Sequence, residues 1–215
     1  MPARPDAPVA APWIRLLSAL PDAATACGCA VAWVSPFTFG PDAVRTVLLM
    51  MLVEFILLHA TGFFAGALEA SGSGGRHVLV VLALSSAYLV FVGAFALIFH
   101  SWWPLVAYGW LVVGKIAWSL AGPRGSDGET ERQRQMGAWA FSLVAYLGAV
   151  FAALLLPLPE LGLDAATLPR LHLPGSGAWV EHPVMVVGAA VIYYASLAGF
   201  KAWGGRWNVQ PAGDP

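Results

Sequence analysis

The chain has 215 residues, of which 59% are apolar and only 11% charged, with a formal net charge of −1 and a mean hydropathy of +0.71. A soluble domain carries about 25% charged residues. Here the deficit recurs along the chain in blocks of about 20 residues, the pattern of a polytopic helical membrane protein, and the absence of any basic patch excludes a nucleic-acid partner.

In chain order the apolar blocks predict an all-α transmembrane bundle of about six spans, forming a single integral membrane domain over 1–215. The first span is read over 15–34, and Pro21-Asp22 interrupts it. It is either one kinked helix or a short interfacial helix followed by a short helix capped by Asp22. Cys27 and Cys29 within it point to nearly opposite sides of a helix, so they act as small apolar fillers rather than a bridge. Ala24-Thr25-Ala26-Cys27 has the outline of a lipoprotein cleavage site, but Pro21-Asp22 breaks the apolar core such a signal needs.

The second span, 43–68, is entered through Pro41 and an N-capping Asp42. The third covers 77–99. The fourth, 104–120, has proline in its first turn, where a missing N–H costs nothing. The fifth, 136–156, holds no charge, and the sixth, 184–203, starts behind Pro183. Continuous rather than alternating apolar runs exclude barrel strands. Residues 122–135 read as the one strongly hydrophilic loop. Residues 157–182 read as a longer, semi-apolar loop in which Asp164 can cap a short helix on the membrane surface.

Six spans place Arg4, Arg15, Arg76, Arg124, Arg132, Arg134, Lys201 and Arg206 on one side and only Arg45 and Arg170 on the other. That asymmetry predicts both termini in the cytoplasm, and a multi-pass protein of the cell's inner, cytoplasmic membrane. Trp102, Trp103, Trp179, Trp203 and Trp207 fall at span ends, as interfacial anchors do.

Helix rise converts sequence position into depth. From the outer surface, Glu54 lies about 18 Å down the second span, Lys115 about 16 Å down the fourth, and Asp22 about 20 Å down the first if that span is one helix. A bare charge at the bilayer centre costs roughly 2.5–3.5 kcal/mol or more, so these residues are the candidate binding layer. Ser85, Ser86, Ser142, Tyr193, Tyr194 and Ser196 fall at similar depths. Two readings stand. In one, Lys115 neutralises one carboxylate and the other holds a proton or cation, as in proton-coupled transport. In the other, Glu54 and Lys115 are a balanced pair that fixes helix packing.

His59 joins the layer on depth, but five residues from Glu54 is about 140° of helix rotation, so the two do not share a face. It reads as a hydrogen-bonded packing histidine, without the facing second histidine that haem ligation needs. His100, His172 and His182 fall on the outer side without recognised metal-ligand spacing. No nucleophile–base pair or phosphate loop is present, so no catalytic residue, metal or cofactor is assigned, and the pattern leans away from an enzyme. Small residues at Gly62 and Gly66, at Ala145, Ala149 and Ala153, and at Ala195 and Gly199 mark faces for close helix approach.

Val53-Glu54-Phe55 followed by Gly62-Phe63-Phe64, and a closing helix from Pro183 to Lys201, resemble an uncharacterised family of bacterial integral membrane proteins with about six helices. Leu52-Val53 stands where that family would show an aromatic pair. The resemblance implies membrane location and helix count and supplies no activity.

The expected partner is therefore the lipid bilayer, with other membrane subunits or a second copy of the chain as further partner classes. The first functional expectation is a small proton- or ion-coupled transporter using Glu54, Lys115 and Asp22. The alternative is a non-catalytic accessory or assembly subunit of a larger membrane complex.

Overall fold

The computed structural model describes residues 12–70, 75–121 and 126–204. At some helix positions, Lys115 and His77 among them, only the backbone is described. The described residues form seven α-helices and one 3-10 turn, with no strand. They are α1 (Pro12–Val34), α2 (Ala43–Ala70), α3 (Gly75–Ile98), α4 (Trp103–Ala121), α5 (Ser126–Leu155), α6 (Ala178–Glu181) and α7 (Pro183–Ala202), with the 3-10 turn at Leu168–Leu171. Among the described residues, four stretches are long and apolar enough to cross a membrane: Trp13–Val34, Ala43–Phe64, Gln133–Leu155 and Pro183–Ala202. Leu82–Ile98 and Trp103–Val113 are shorter apolar helical segments.

Of the two readings for the first segment, one continuous helix forms, with Pro21 inside it. Proline removes an i→i−4 bond, freeing the carbonyl one turn earlier, and the Thr25 hydroxyl donates to the Pro21 carbonyl at 2.9 Å. α5 begins at Ser126, ten residues before the apolar run. Apolarity marks only the lipid-compatible part of a helix, whereas the Glu, Arg and Gln residues ahead of it are good helix formers. The stretch read as a hydrophilic loop is thus helical from Ser126 onward, and residues 122–125 lie outside the described ones.

α1 and α7 form the tightest seam. On α1, Ala19, Asp22, Ala26 and Cys29 recur at spacings of three and four; on α7, Val187, Ala190, Tyr194, Leu197 and Lys201 do the same. This is the heptad pattern that keeps one face of each helix against the other. The apolar members of both sets are buried. The helices run antiparallel: Trp33 lies beside Gly188 near one end, and the Arg15 guanidinium lies beside Gly204 at the other.

α5 packs across α7 and α2. Phe141 stacks on Phe200 at 4.0 Å between ring centroids. The Trp139 indole donates to the Leu58 carbonyl at 2.9 Å and covers Gly62, where an added Cβ would sit 2.5 Å from the ring. The first glycine of the Gly62/Gly66 pair therefore meets a neighbour within the same chain. α3 and α4 form a hairpin that packs on α2 through a small second core of Ile56, Ala60, Phe64, Val92 and Tyr108. The end of α3 closes with His100 in the left-handed region (φ 48°). Ser101 N donates to the Ala96 carbonyl there, and the Arg45 guanidinium donates to the Phe99 carbonyl, meeting two of the carbonyls a helix end leaves open.

The loop after α5 folds onto one end of the bundle. Leu163 and Leu171 are buried in the main core. The Trp33 indole donates to the Pro159 carbonyl at 2.9 Å, and Gly162 N donates back to the Trp33 carbonyl at 3.1 Å. Asp164 caps the turn leading into the 3-10 helix, accepting from Thr167 N at 2.8 Å. Hydrogen bonding from the Thr167 side chain, and then from its backbone N–H, holds the Asp164 carboxyl below the usual carboxylate range. Arg170 sits over the Phe37 ring at 4.7 Å.

Candidate functional site

Glu54 lies 11 residues into α2 and Tyr193 lies 10 into α7. At 1.5 Å per residue both are about 15–17 Å from the helix starts. Because both helices pack antiparallel to α5, they run side by side in the same sense, and the two residues meet. The Tyr193 hydroxyl donates to Glu54 Oε1 at 2.6 Å, within the range of a short, charge-assisted bond. Tyr193 itself is fully buried.

Its ring is fixed by two others. Tyr146 of α5 meets it edge-on at 5.4 Å, and Tyr194 lies 4.9 Å away. The Tyr146 hydroxyl is spent on the Met51 carbonyl at 3.0 Å, one turn before Glu54. The carboxyl is thus held by one tyrosine whose rotamer two further tyrosines determine.

Asp22 arrives from α1. It is half-buried, and its Oδ2 lies 2.5 Å from the Lys201 ammonium of α7. The pairing follows from the seam: Asp22 and Lys201 occupy facing heptad positions, and a helical Cα–Cβ bond tilts toward the N-terminus, so Lys201 reaches back along α7 toward Asp22. The ammonium therefore sits on Asp22, with the Lys201 side chain 42% exposed and that of Asp22 13%.

Of the four residues expected in this layer, Glu54 meets Tyr193 and Asp22 meets Lys201. His59 points elsewhere: its ring packs on Phe55 at 4.0 Å and its Nδ1 bonds the Phe55 carbonyl at 2.9 Å. The Lys115 side chain lies outside the described residues, and its helix α4 packs on α3 and α2. Lys201 is the residue that sequence reasoning missed, since it was counted among the cytoplasmic charges. The seven-residue interval from Tyr194 to Lys201, matching that from Asp22 to Cys29, was the available signal.

The serines at similar depth stay out of the cluster. Ser86, Ser142 and Ser196 each donate to the carbonyl four residues back in their own helix, a local bond that competes with longer-range partners. Ser85 is buried under Tyr108, whose hydroxyl takes the Ser85 carbonyl at 3.1 Å. Among the described residues no three His, Cys, Asp or Glu side chains gather as a metal site. A groove of about 670 Å³ opens between α5 and α7, lined by Phe141, Ile192, Ala195, Ser196, Gly199 and Trp203.

Compared with protein-family models, curated proteins and solved structures, the chain finds no match.

Proposed function

We propose that this is a multi-pass protein of the cytoplasmic membrane, with about six spans and both termini inside, and that it works as a small transporter coupled to a proton or cation bound at Glu54. The helices long and apolar enough to cross a membrane support the location. The Lys and Arg asymmetry supports the orientation. The resemblance to uncharacterised six-helix membrane proteins agrees with the span count.

One observation carries the functional reading. Glu54 is held by a neutral tyrosine hydroxyl, while the cation of the cluster is engaged by Asp22. A cluster with one acid more than base takes up a positive charge at modest cost, and a proton or small cation supplies it. A balanced brace would place the ammonium on Glu54.

The test is ion-driven uptake by purified protein in liposomes, measured across a panel of ions and small solutes under imposed proton, sodium and potassium gradients. The wild type is expected to show a gradient-dependent flux that Glu54→Gln abolishes while retaining the wild-type melting profile. Equal flux in the variant, or no coupled flux in the wild type across the panel, overturns the proposal.

A second reading, an accessory subunit of a larger membrane complex, draws on the groove between α5 and α7. Ala195 is exposed there, and an added Cβ on Gly199 would meet nothing within 4 Å, so a helix from another subunit can approach closely. Purification in mild detergent that yields only a monodisperse monomer counts against it.

A further inference from the structure

Glu54 is offered few oxygens. The Tyr193 hydroxyl donates to its Oε1 at 2.6 Å, and among the described residues no other hydrogen bond or ion pair reaches the carboxyl. The Tyr146 hydroxyl, from α5, is committed to the Met51 carbonyl. α2 and α7 run as continuous helices through Glu54 and Tyr193, so their main-chain carbonyls are taken up inside each helix. Met51 and Leu58 share a face of α2 with Glu54, and both are apolar and buried. Ser142 and Ser196, at similar depth, bond their own helices. The ionisable groups that the packed helices bring near this depth are placed as follows. Tyr194 of α7 and Cys29 of α1 lie buried in the α1–α7 seam, and Lys201 of α7 holds Asp22 of α1. Tyr88 and Tyr108 of the α3–α4 hairpin belong to the second core, and on α2 itself His59 bonds the Phe55 carbonyl.

We propose that the charge Glu54 takes up is a proton, carried on Oε2, and not a metal cation. This rests on the reading of Glu54 as the binding group and names its ligand. The physical reason is the number of oxygens. Calcium takes about 6–8 oxygen ligands and magnesium a near-ideal octahedron of them. Membrane proteins that hold sodium or potassium supply main-chain carbonyls from unwound helices or from filter loops. Glu54 and Tyr193 together present three oxygens, and the helices behind them are not unwound there. A proton needs one lone pair. Tyr193 already occupies Oε1, so the open atom is Oε2. A hydronium ion gives its proton to Oε2 and leaves as water, and release is the reverse of that step. Tyr193 keeps its own proton and its hydrogen bond in both states, so uptake demands no movement of a helix. Glu54 is half-buried rather than sealed, which leaves the proton a way in. Tyr193 is a positioning residue in this scheme: it fixes one oxygen and leaves the other to titrate.

The test reads Glu54 itself rather than transport. The carboxyl C=O stretch of the full-length protein in lipid is followed by infrared difference spectroscopy over a pH titration. Glu54→Gln identifies the Glu54 band by removing it; Glu54→Asp, which keeps a carboxyl and moves the band, serves if the first variant fails to fold. The titration is repeated with sodium, potassium, magnesium or calcium raised about a hundredfold, choline holding the ionic strength constant. A proton site keeps the same midpoint in every salt. A metal ion that competes one-for-one with the proton lowers the midpoint by up to about two pH units over that range. Tyr193→Phe removes a bond that favours the ionised carboxyl and is expected to raise the midpoint by roughly one to two pH units, with the indifference to salt retained. A midpoint that falls as any of the four cations rises overturns the proton assignment and leaves Glu54 standing as the binding group. A protein with no titrating Glu54 band in any salt overturns both.

Discussion

The two halves of the molecule are built differently. α1, α2, α5 and α7 share one large core in which Val44, Met51, Val187, Ala190 and Tyr193 are completely buried. The α3–α4 hairpin has a small core of its own and presents Leu79, Val90, Phe91, Val106 and Trp110 outward. All contacts among Asp22, Glu54, Tyr146, Tyr193 and Lys201 fall in the first half. In the hairpin, the comparable polar group, Ser85, is buried and its hydroxyl meets no partner among the described residues. A tight four-helix unit therefore holds the Glu54–Tyr193 and Asp22–Lys201 pairs, and the hairpin leans on it through α2. The fixed geometry that a binding carboxyl needs comes from the well-packed side, where three tyrosines lock one another.

Substitutions separate the two halves. The largest expected effect is complete loss of coupled flux in Glu54→Gln, set against retained flux in hairpin variants such as Tyr108→Phe, both measured in the same liposomes. Next is Tyr193→Phe, which deletes the hydroxyl on Glu54. A hydrogen bond to a charged group is worth about 1.5–3 kcal/mol, so ion affinity measured by titration is expected to change by roughly 10- to 100-fold. Gly162→Ala comes third. Its Cβ would press on the Val34 carbonyl oxygen, a backbone atom that has little room to move, and overpacking of this kind costs about 1–3 kcal/mol. A melting temperature lower by several degrees, with binding at Glu54 intact, is the expected result.

Tyr108→Phe itself loses one buried bond, about 1 kcal/mol, and is expected to loosen the hairpin by hydrogen exchange without affecting the cluster. The smallest effect is at Asp164. Its carboxyl titrates below its unfolded value, so its contribution is present above the unfolded value near 3.9 and disappears as pH falls through the lower folded value. Asp164→Ala should thus melt slightly earlier than the wild type at pH 7, and the difference should shrink as pH falls below the unfolded value. A difference that does not shrink with falling pH assigns the effect to packing instead.

Much of the tight half was legible in the sequence. Glu54 stands out as a charge in an apolar run, and depth arithmetic places Asp22, Tyr193 and Tyr194 at its level. Lys201 was not legible by that arithmetic, because counting from a span end locates a Cα, while a lysine's charge sits at the end of a long side chain that tilts toward the helix N-terminus. The serines illustrate the opposite error. Equal depth suggested that each helix contributes to a polar layer, yet a serine hydroxyl bonds its own helix before it can reach another. The folded loop was hidden for a different reason: Leu163 and Leu171 bury themselves without any periodicity, and only periodic burial leaves a pattern in sequence. The early start of α5 was hidden because polar helix formers carry no apolar signal.

The antiparallel seam between the first and last long helices has a consequence for how the protein is made. Asp22 leaves the ribosome 179 residues before Lys201, roughly 10–35 s earlier at ordinary synthesis rates. Through that interval the N-terminal helix, the least hydropathic of the four long ones, holds an acid whose eventual counter-charge has not been synthesised. Its final seat becomes available only when the last helix arrives, so assembly of the tight half is completed from the C-terminus.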